Sequence, residues 1–99
     1  MQVPLEVMLE RDQLQQVIKI TTNVAVVGRG QGCDIRIDDP LASRHHCRIE
    51  VVGDQVFVVD LDSRNGSWVG GQRVLRQLFS SSDVLRIGST TLQLYGGIE

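Results

Sequence analysis

Apolar and polar residues alternate along most of this chain. Leu5, Val7 and Leu9 alternate with Glu6 and Met8, and Ile35 and Ile37 flank Arg36. Cys47, Ile49 and Val51 flank Arg48 and Glu50; Phe57, Val59 and Leu61 flank Val58 and Asp60; Leu92 and Leu94 flank Gln93. Period two places every second side chain on one face, so each run predicts a half-buried strand. Val24 to Val27 is a continuous apolar run that predicts a central strand, and Val84 to Ile87 is a further short one. Gly53-Asp54, Gly70-Gly71 and Gly88-Ser89 supply turns between these runs, the glycine pair allowing positive φ at both central positions. Glu10 to Gln16 and Gln77 to Ser82 lack alternation and are short enough for a turn or a single helical turn. Many short strands, no required helix and no internal repeat predict an all-β antiparallel sandwich.

Three polar patches stand where apolar runs stop: Gly28-Arg29, Ser43-Arg44-His45-His46 and Ser63-Arg64-Asn65-Gly66. Gathered at one end of a sandwich, they would offer arginine forks, a hydroxyl and a carboxamide. Those groups can hold a phosphate and the backbone of an extended peptide, and they contain no nucleophile-and-base pair.

Ninety-nine residues make one domain with one modest core, expected to span residues 1–99 with 96–99 reading as the start of a linker. The formal charge of −2 disfavours nucleic acid and anionic membranes as partners, and Lys19 is the only lysine among ten basic residues. No stretch approaches the roughly 18 apolar residues of a membrane span, and no signal-peptide layout opens the chain, so a soluble, cytoplasmic module is expected. Cys33 and Cys47 form no Cys-x-x-Cys pair and are expected as buried free thiols.

Other chemistries fail on their spacing. Gly28-x-Gly30 has Cys33 where a dinucleotide fingerprint needs its third glycine. Asp60 to Asn65 imitates a calcium loop but lacks its glycine and closing glutamate. Neighbouring His45, His46 and Cys47 point to alternate faces of a strand and cannot converge on a metal. Ser43 sits on no nucleophile elbow, so no catalytic residue, metal or cofactor is expected. Trp68 reads as a half-buried strand aromatic rather than a stacking platform.

Taken in order, Gly28-Arg29, Cys33-Asp34-Ile35, Ser43-x-x-His46 and Asp60-Leu61-x-Ser63-x-Asn65-Gly66 resemble the forkhead-associated (FHA) domain. The resemblance implies an eleven-stranded β-sandwich whose loops at one end bind phosphothreonine in an extended peptide. It further implies that Arg29 contacts phosphate or braces the phosphate pocket, that Ser43 donates its hydroxyl to a phosphate oxygen, that Arg44 contacts phosphate or peptide, and that Arg64 and Asn65 form the pair before the loop glycine, with Asn65 bonding peptide main chain. His46 would buttress the serine loop, Gly28 and Gly66 would serve the backbone, and Leu41 would favour an apolar residue three positions after the phosphothreonine. The implied partner is a phosphothreonine-containing protein, or a segment of the parent protein, modified by a Ser/Thr kinase. A phosphate-independent interaction module on the same sandwich is the competing expectation, and retention of both Arg29 and Ser43 argues against it.

Overall fold

The computed structural model describes residues 4–96. Among these residues it contains eleven strands and no helix: β1 (Leu5–Arg11), β2 (Leu14–Ile20), β3 (Val24–Gly28), β4 (Ile35–Arg36), β5 (Cys47–Val52), β6 (Gln55–Asp60), β7 (Ser67–Val69), β8 (Gln72–Val74), β9 (Arg76–Leu78), β10 (Leu85–Ile87) and β11 (Thr90–Gly96). They form a six-stranded sheet in the order β2-β1-β11-β10-β7-β8 and a five-stranded sheet in the order β4-β3-β5-β6-β9. In the second sheet β3 and β4 pair in parallel and the other neighbours pair antiparallel, so that sheet is mixed. Gly96 closes β11, and the rest of the expected linker lies outside the described residues.

Facing sides of the two sheets enclose one core. Ala25, Val27, Ile49, Val56 and Val58 of the five-stranded sheet share it with Leu5, Val7, Leu85, Ile87 and Leu92 of the six-stranded sheet, and Phe79 fills it from the β9–β10 connection. Burial of each such large side chain contributes about 1.5–3 kcal/mol. Alternation in β1, β5 and β11 reads correctly from the sequence.

Three expectations need correction. In β6 the buried residues are Val56 and Val58, while Phe57 and Val59, and Leu61 just past the strand end, are only half-buried, because both faces of this strand are apolar and alternation alone cannot fix its phase. The Val24–Val27 run, in β3, lies inside its sheet but buries only one face; Val24 is 45% exposed. Glu10 to Gln16 holds no helical turn, and the expected turn is confined to Asp12 and Gln13, with φ of 54° and 67°; β1 runs in to Arg11 and β2 leaves from Leu14. Two non-glycine residues in left-handed backbone make this hairpin invisible to a search for glycine turns. The turns at Gly53, Gly70-Gly71 and Gly88 are present with positive φ.

Candidate functional site

Pairing between β3 and β5 continues past both strand ends and thereby places two of the three polar patches side by side. His46 N–H donates to Val27 O at 2.8 Å, Arg29 N–H to Ser43 O at 2.9 Å, and Gly30 N–H to Arg44 O at 3.0 Å. This ladder requires glycine at position 28, because a Cβ there would run into the Arg44 carbonyl oxygen. On its other side Gly28 O accepts from Ile37 N–H at 2.7 Å, so β4 is locked to the same segment.

The third patch is joined to the second through a buried imidazole. Ser43 N–H donates to His46 Nδ1 at 3.0 Å, which leaves Nε2 to carry the proton and donate to Gly66 O at 2.8 Å. His46 is fully buried. The expected buttress therefore has a defined form: one ring fixes the backbone of two loops separated by twenty residues. Gly66 adopts φ of 91°, and a Cβ there would meet Arg73 Nε at 2.7 Å. Arg73 in turn donates to Ser63 O at 3.2 Å.

Beneath the Ser63–Gly66 loop lies an acidic anchor, Asp60, the residue that opens the Asp60-Leu61-x-Ser63-x-Asn65-Gly66 motif and to which the sequence assigned no role. Asp60 accepts from the Ser63 hydroxyl at 2.6 Å, the Ser67 hydroxyl at 2.7 Å and Ser63 N–H at 2.9 Å. Burial alone would raise its pKa, but these hydrogen bonds and nearby His46 hold it below the usual carboxylate range. The signal in the sequence is Asp followed at i+3 and i+7 by serine, a pattern too common to stand out. A second carboxylate, the buried Asp39, anchors the start of the serine loop to the other sheet. It accepts from Leu41 N–H at 2.9 Å, Ser89 N–H at 2.9 Å and the Thr90 hydroxyl at 2.8 Å. Its pKa is also lowered: burial opposes ionisation, yet those three donors and the Arg11 guanidinium outweigh it.

On this frame the candidate binding side chains lie toward the surface. Ser43 Oγ accepts from Arg64 N–H at 3.1 Å, leaving its own hydroxyl proton free to donate. Asn65 Nδ2 donates to Leu41 O at 2.9 Å, leaving its second N–H and its carbonyl oxygen for other partners. Arg29 Nε donates to Ala42 O at 3.0 Å, which fixes the stem and leaves the terminal nitrogens unengaged. Arg29, Arg44, Arg64 and Asn65 are exposed and Ser43 is half-buried. Among the described residues no carboxylate lies within 4.0 Å of the guanidinium groups of Arg29, Arg44 or Arg64. The structure thus brings every expected binding residue to one end of the sandwich, with Gly28, His46 and Gly66 beneath them. No group of three or more potential metal ligands occurs among the described residues.

A groove of about 600 Å³ runs from this cluster along the six-stranded sheet, lined by Leu41, Asn65, Trp68, Val84 and Arg86. Trp68 is 36% exposed and its indole N–H donates to Asn65 O at 3.1 Å. It lies on strand β7 as expected but is exposed rather than half-buried, and it forms a wall next to the asparagine loop. Of the two free cysteines, Cys47 is buried and its thiol is pushed up to about 12, mainly by desolvation. Cys33 differs from expectation: it is only half-buried, and its thiol donates to Arg44 O at 3.0 Å.

The profile of the FHA domain matches residues 25–88, which carry all of the loops just described. The chain belongs to the FHA domain family. Among curated relatives of this FHA domain, an oxoglutarate dehydrogenase inhibitor from Corynebacterium jeikeium is 36% identical over 71% of the chain, and the FHA domain-containing protein FhaA of Mycobacterium tuberculosis is 33% identical over 68%. The chain spans 49% of the former and 13% of the latter. Among solved structures, the FhaA FHA domain complexed with the intracellular domain of Rv3910 superposes with a TM-score of 0.80 at 28% identity, covering 90% of this chain and 99% of that one. A domain solved in a study of phosphothreonine-dependent FHA domain interactions gives 0.82 at 26% identity, covering 95% and 99%.

Proposed function

We propose that this FHA domain binds phosphothreonine-containing protein segments and so couples a Ser/Thr kinase to protein assembly in the cytoplasm. The observation that carries this reading is the set of unneutralised donors at one end of the sandwich: Arg29, Arg44, Arg64 and the Ser43 hydroxyl, with the Asn65 carboxamide beside them. A phosphothreonine brings a charge of about −1.5 to −2 and three acceptor oxygens. Arg29 and Ser43 bind the phosphate, Arg44 and Arg64 complete its neutralisation, and Asn65 pairs with peptide main chain through the N–H and carbonyl it has left. Each charge-assisted bond contributes about 1.5–3 kcal/mol, so removal of the phosphate abolishes most affinity. Leu41, Trp68 and Val84 along the adjoining groove support an apolar preference in the peptide beyond the asparagine contact.

No reaction belongs to this reading. Both ring nitrogens of His46 are engaged with backbone, so the imidazole has no lone pair left to activate Ser43. Asp60 is held by Ser63 and Ser67. No helix among the described residues is long and apolar enough to cross a membrane. The partner is a kinase-modified protein in trans, or a phosphorylated segment of the parent protein. The relatives support binding of this kind: one solved FHA domain was studied for phosphothreonine-dependent interactions and another is held in complex with a protein's intracellular domain.

The test is fluorescence-polarisation binding to degenerate phosphothreonine, phosphoserine and unphosphorylated peptide libraries. Saturable binding to the phosphothreonine library alone, weakened about 10- to 100-fold in Arg29→Ala and in Ser43→Ala, is expected. Binding that ignores the phosphate would replace this reading with a phosphate-independent interaction module.

A further inference from the structure

A fourth arginine stands at the loop end, outside the set proposed to hold phosphothreonine. Arg36 ends β4, the edge strand of the five-stranded sheet, and its register partner across the parallel pair is Gly28, the residue before Arg29. Its Nε donates to Arg29 O at 3.1 Å, which pins the guanidinium against the backbone of the phosphate loop. The terminal nitrogens have no partner among the described residues, and no carboxylate there lies within 4.0 Å of them. Asp34, two residues earlier, instead accepts from Val26 N–H at 2.8 Å. Arg36 is exposed and lines a second groove between β4 and β2, where Leu9, Leu14 and Ile37 supply apolar walls and Arg11, Asp12 and Asp38 also line it.

Charge arithmetic makes this arrangement informative. Arg29, Arg44 and Arg64 already exceed the roughly −2 of one phosphothreonine. Adding Arg36 leaves a local surplus that no carboxylate among the described residues neutralises by an ion pair, in a protein whose net formal charge is −2. Adjacent strands lie about 4.8 Å apart and an extended peptide advances about 3.3 Å per residue, so Arg36 stands within reach of side chains close to the phosphothreonine.

Building on the phosphothreonine reading, we propose that Arg36 forms a second anion subsite that selects a negatively charged side chain within three residues of the phosphothreonine. Two sources supply that chemistry: an Asp or Glu carboxylate, or a second phosphorylated residue. A planar fork with its stem fixed and its terminal nitrogens free suits either, and a doubly charged phosphate gains more from it than a carboxylate. The subsite therefore favours acidic segments or segments phosphorylated twice over those carrying one isolated phosphothreonine.

The experiment measures affinities of the intact protein for one phosphothreonine peptide with neutral flanks and for its unphosphorylated counterpart. It repeats them with Asp, and separately with a second phosphothreonine, placed singly at each of the three positions on either side. The readout is the affinity ratio of charged-flank to neutral-flank peptide, taken for the wild type, Arg36→Gln, Arg36→Lys and Arg36→Glu. For the wild type we expect a ratio of about 5 to 10 at one or two positions, larger with phosphate than with Asp. The ratio falls to about 1 in Arg36→Gln, survives in part in Arg36→Lys and drops below 1 in Arg36→Glu. A wild-type ratio of 1 at every position, or a preference that persists in Arg36→Gln, overturns the subsite and leaves phosphothreonine recognition standing. If unphosphorylated peptides bind as well as phosphorylated ones, or nothing binds, phosphothreonine recognition itself fails and the subsite with it.

Discussion

The loop end of the sandwich and the outer face of its five-stranded sheet use arginine in opposite ways. On the sheet face Arg48 is paired with Glu50, and Arg76 lies over the Phe57 ring at 3.9 Å from its centroid. Both charges find their counterpart within the fold. At the loop end Arg29 and Arg36 are positioned by backbone carbonyls, which orient a guanidinium without cancelling its charge, and no acidic side chain among the described residues completes them. The acidic residues Asp39 and Asp60, which brace the loops there, hold backbone and hydroxyl donors beneath the surface. The difference teaches that an arginine's partner matters more than its exposure: a guanidinium aimed by neutral acceptors keeps its full charge for a ligand.

The largest effect expected from disturbing this contrast is at its hidden support. His46→Ala removes a buried ring and leaves Ser43 N–H and Gly66 O without partners, a loss of about 3 kcal/mol in urea unfolding. A loss under about 1 kcal/mol would mean that the two loops hold themselves. Next come Arg29→Ala and Ser43→Ala, each weakening phosphopeptide binding about 10- to 100-fold with little change in stability. Arg76→Ala should show the reverse: unaltered binding and a stability loss of about 0.5–1 kcal/mol from the lost ring contact. Equal behaviour of Arg29→Ala and Arg76→Ala in both measurements would erase the distinction between the two regions.

Acid titration probes the carboxylates below the surface. Asp39 and Asp60 both have folded pKa values below their unfolded ones. Their stabilising contribution is therefore complete above the ordinary carboxylate value of about 3.9 and is lost as pH falls through the lower folded values. Unfolding free energy followed from about pH 6 to about pH 2 should decline below about pH 4, and less steeply in Asp60→Asn. Identical slopes would remove Asp60 from the account. The smallest effect concerns the thiols: burial raises Cys33, and Cys47 lies at about 12, so a thiol reagent at about pH 8 should label Cys33 slowly and Cys47 only after unfolding.

Much of this fold was legible in the sequence because its devices are local. Alternation marks Leu5 and Val7, Cys47 and Ile49, and Leu92 and Leu94 as inward pairs, and the glycine turns fall where hairpins close. Gly28-Arg29, Ser43-x-x-His46 and Asn65-Gly66 were visible as patches at strand ends. What escaped was decided elsewhere in the fold. The phase of β6 depends on which apolar face Arg76 and Leu78 cover from the neighbouring strand. The β1–β2 hairpin turns on Asp12 and Gln13, whose left-handed backbone has no glycine to announce it. Asp39 is tied to Ser89 and Thr90 across fifty residues of sequence, and Arg36 acquires its meaning only because parallel pairing sets it beside Gly28.

The His46 bridge also has a kinetic consequence. Because one buried ring secures the Ser43 and Gly66 backbones before any ligand arrives, the receptor surface needs little rearrangement during capture, and only the peptide must become ordered. Encounter can then proceed without waiting for loop closure, accelerated by the uncompensated positive field at that end. Differences among target peptides should accordingly appear in how long each stays bound rather than in how fast each is captured.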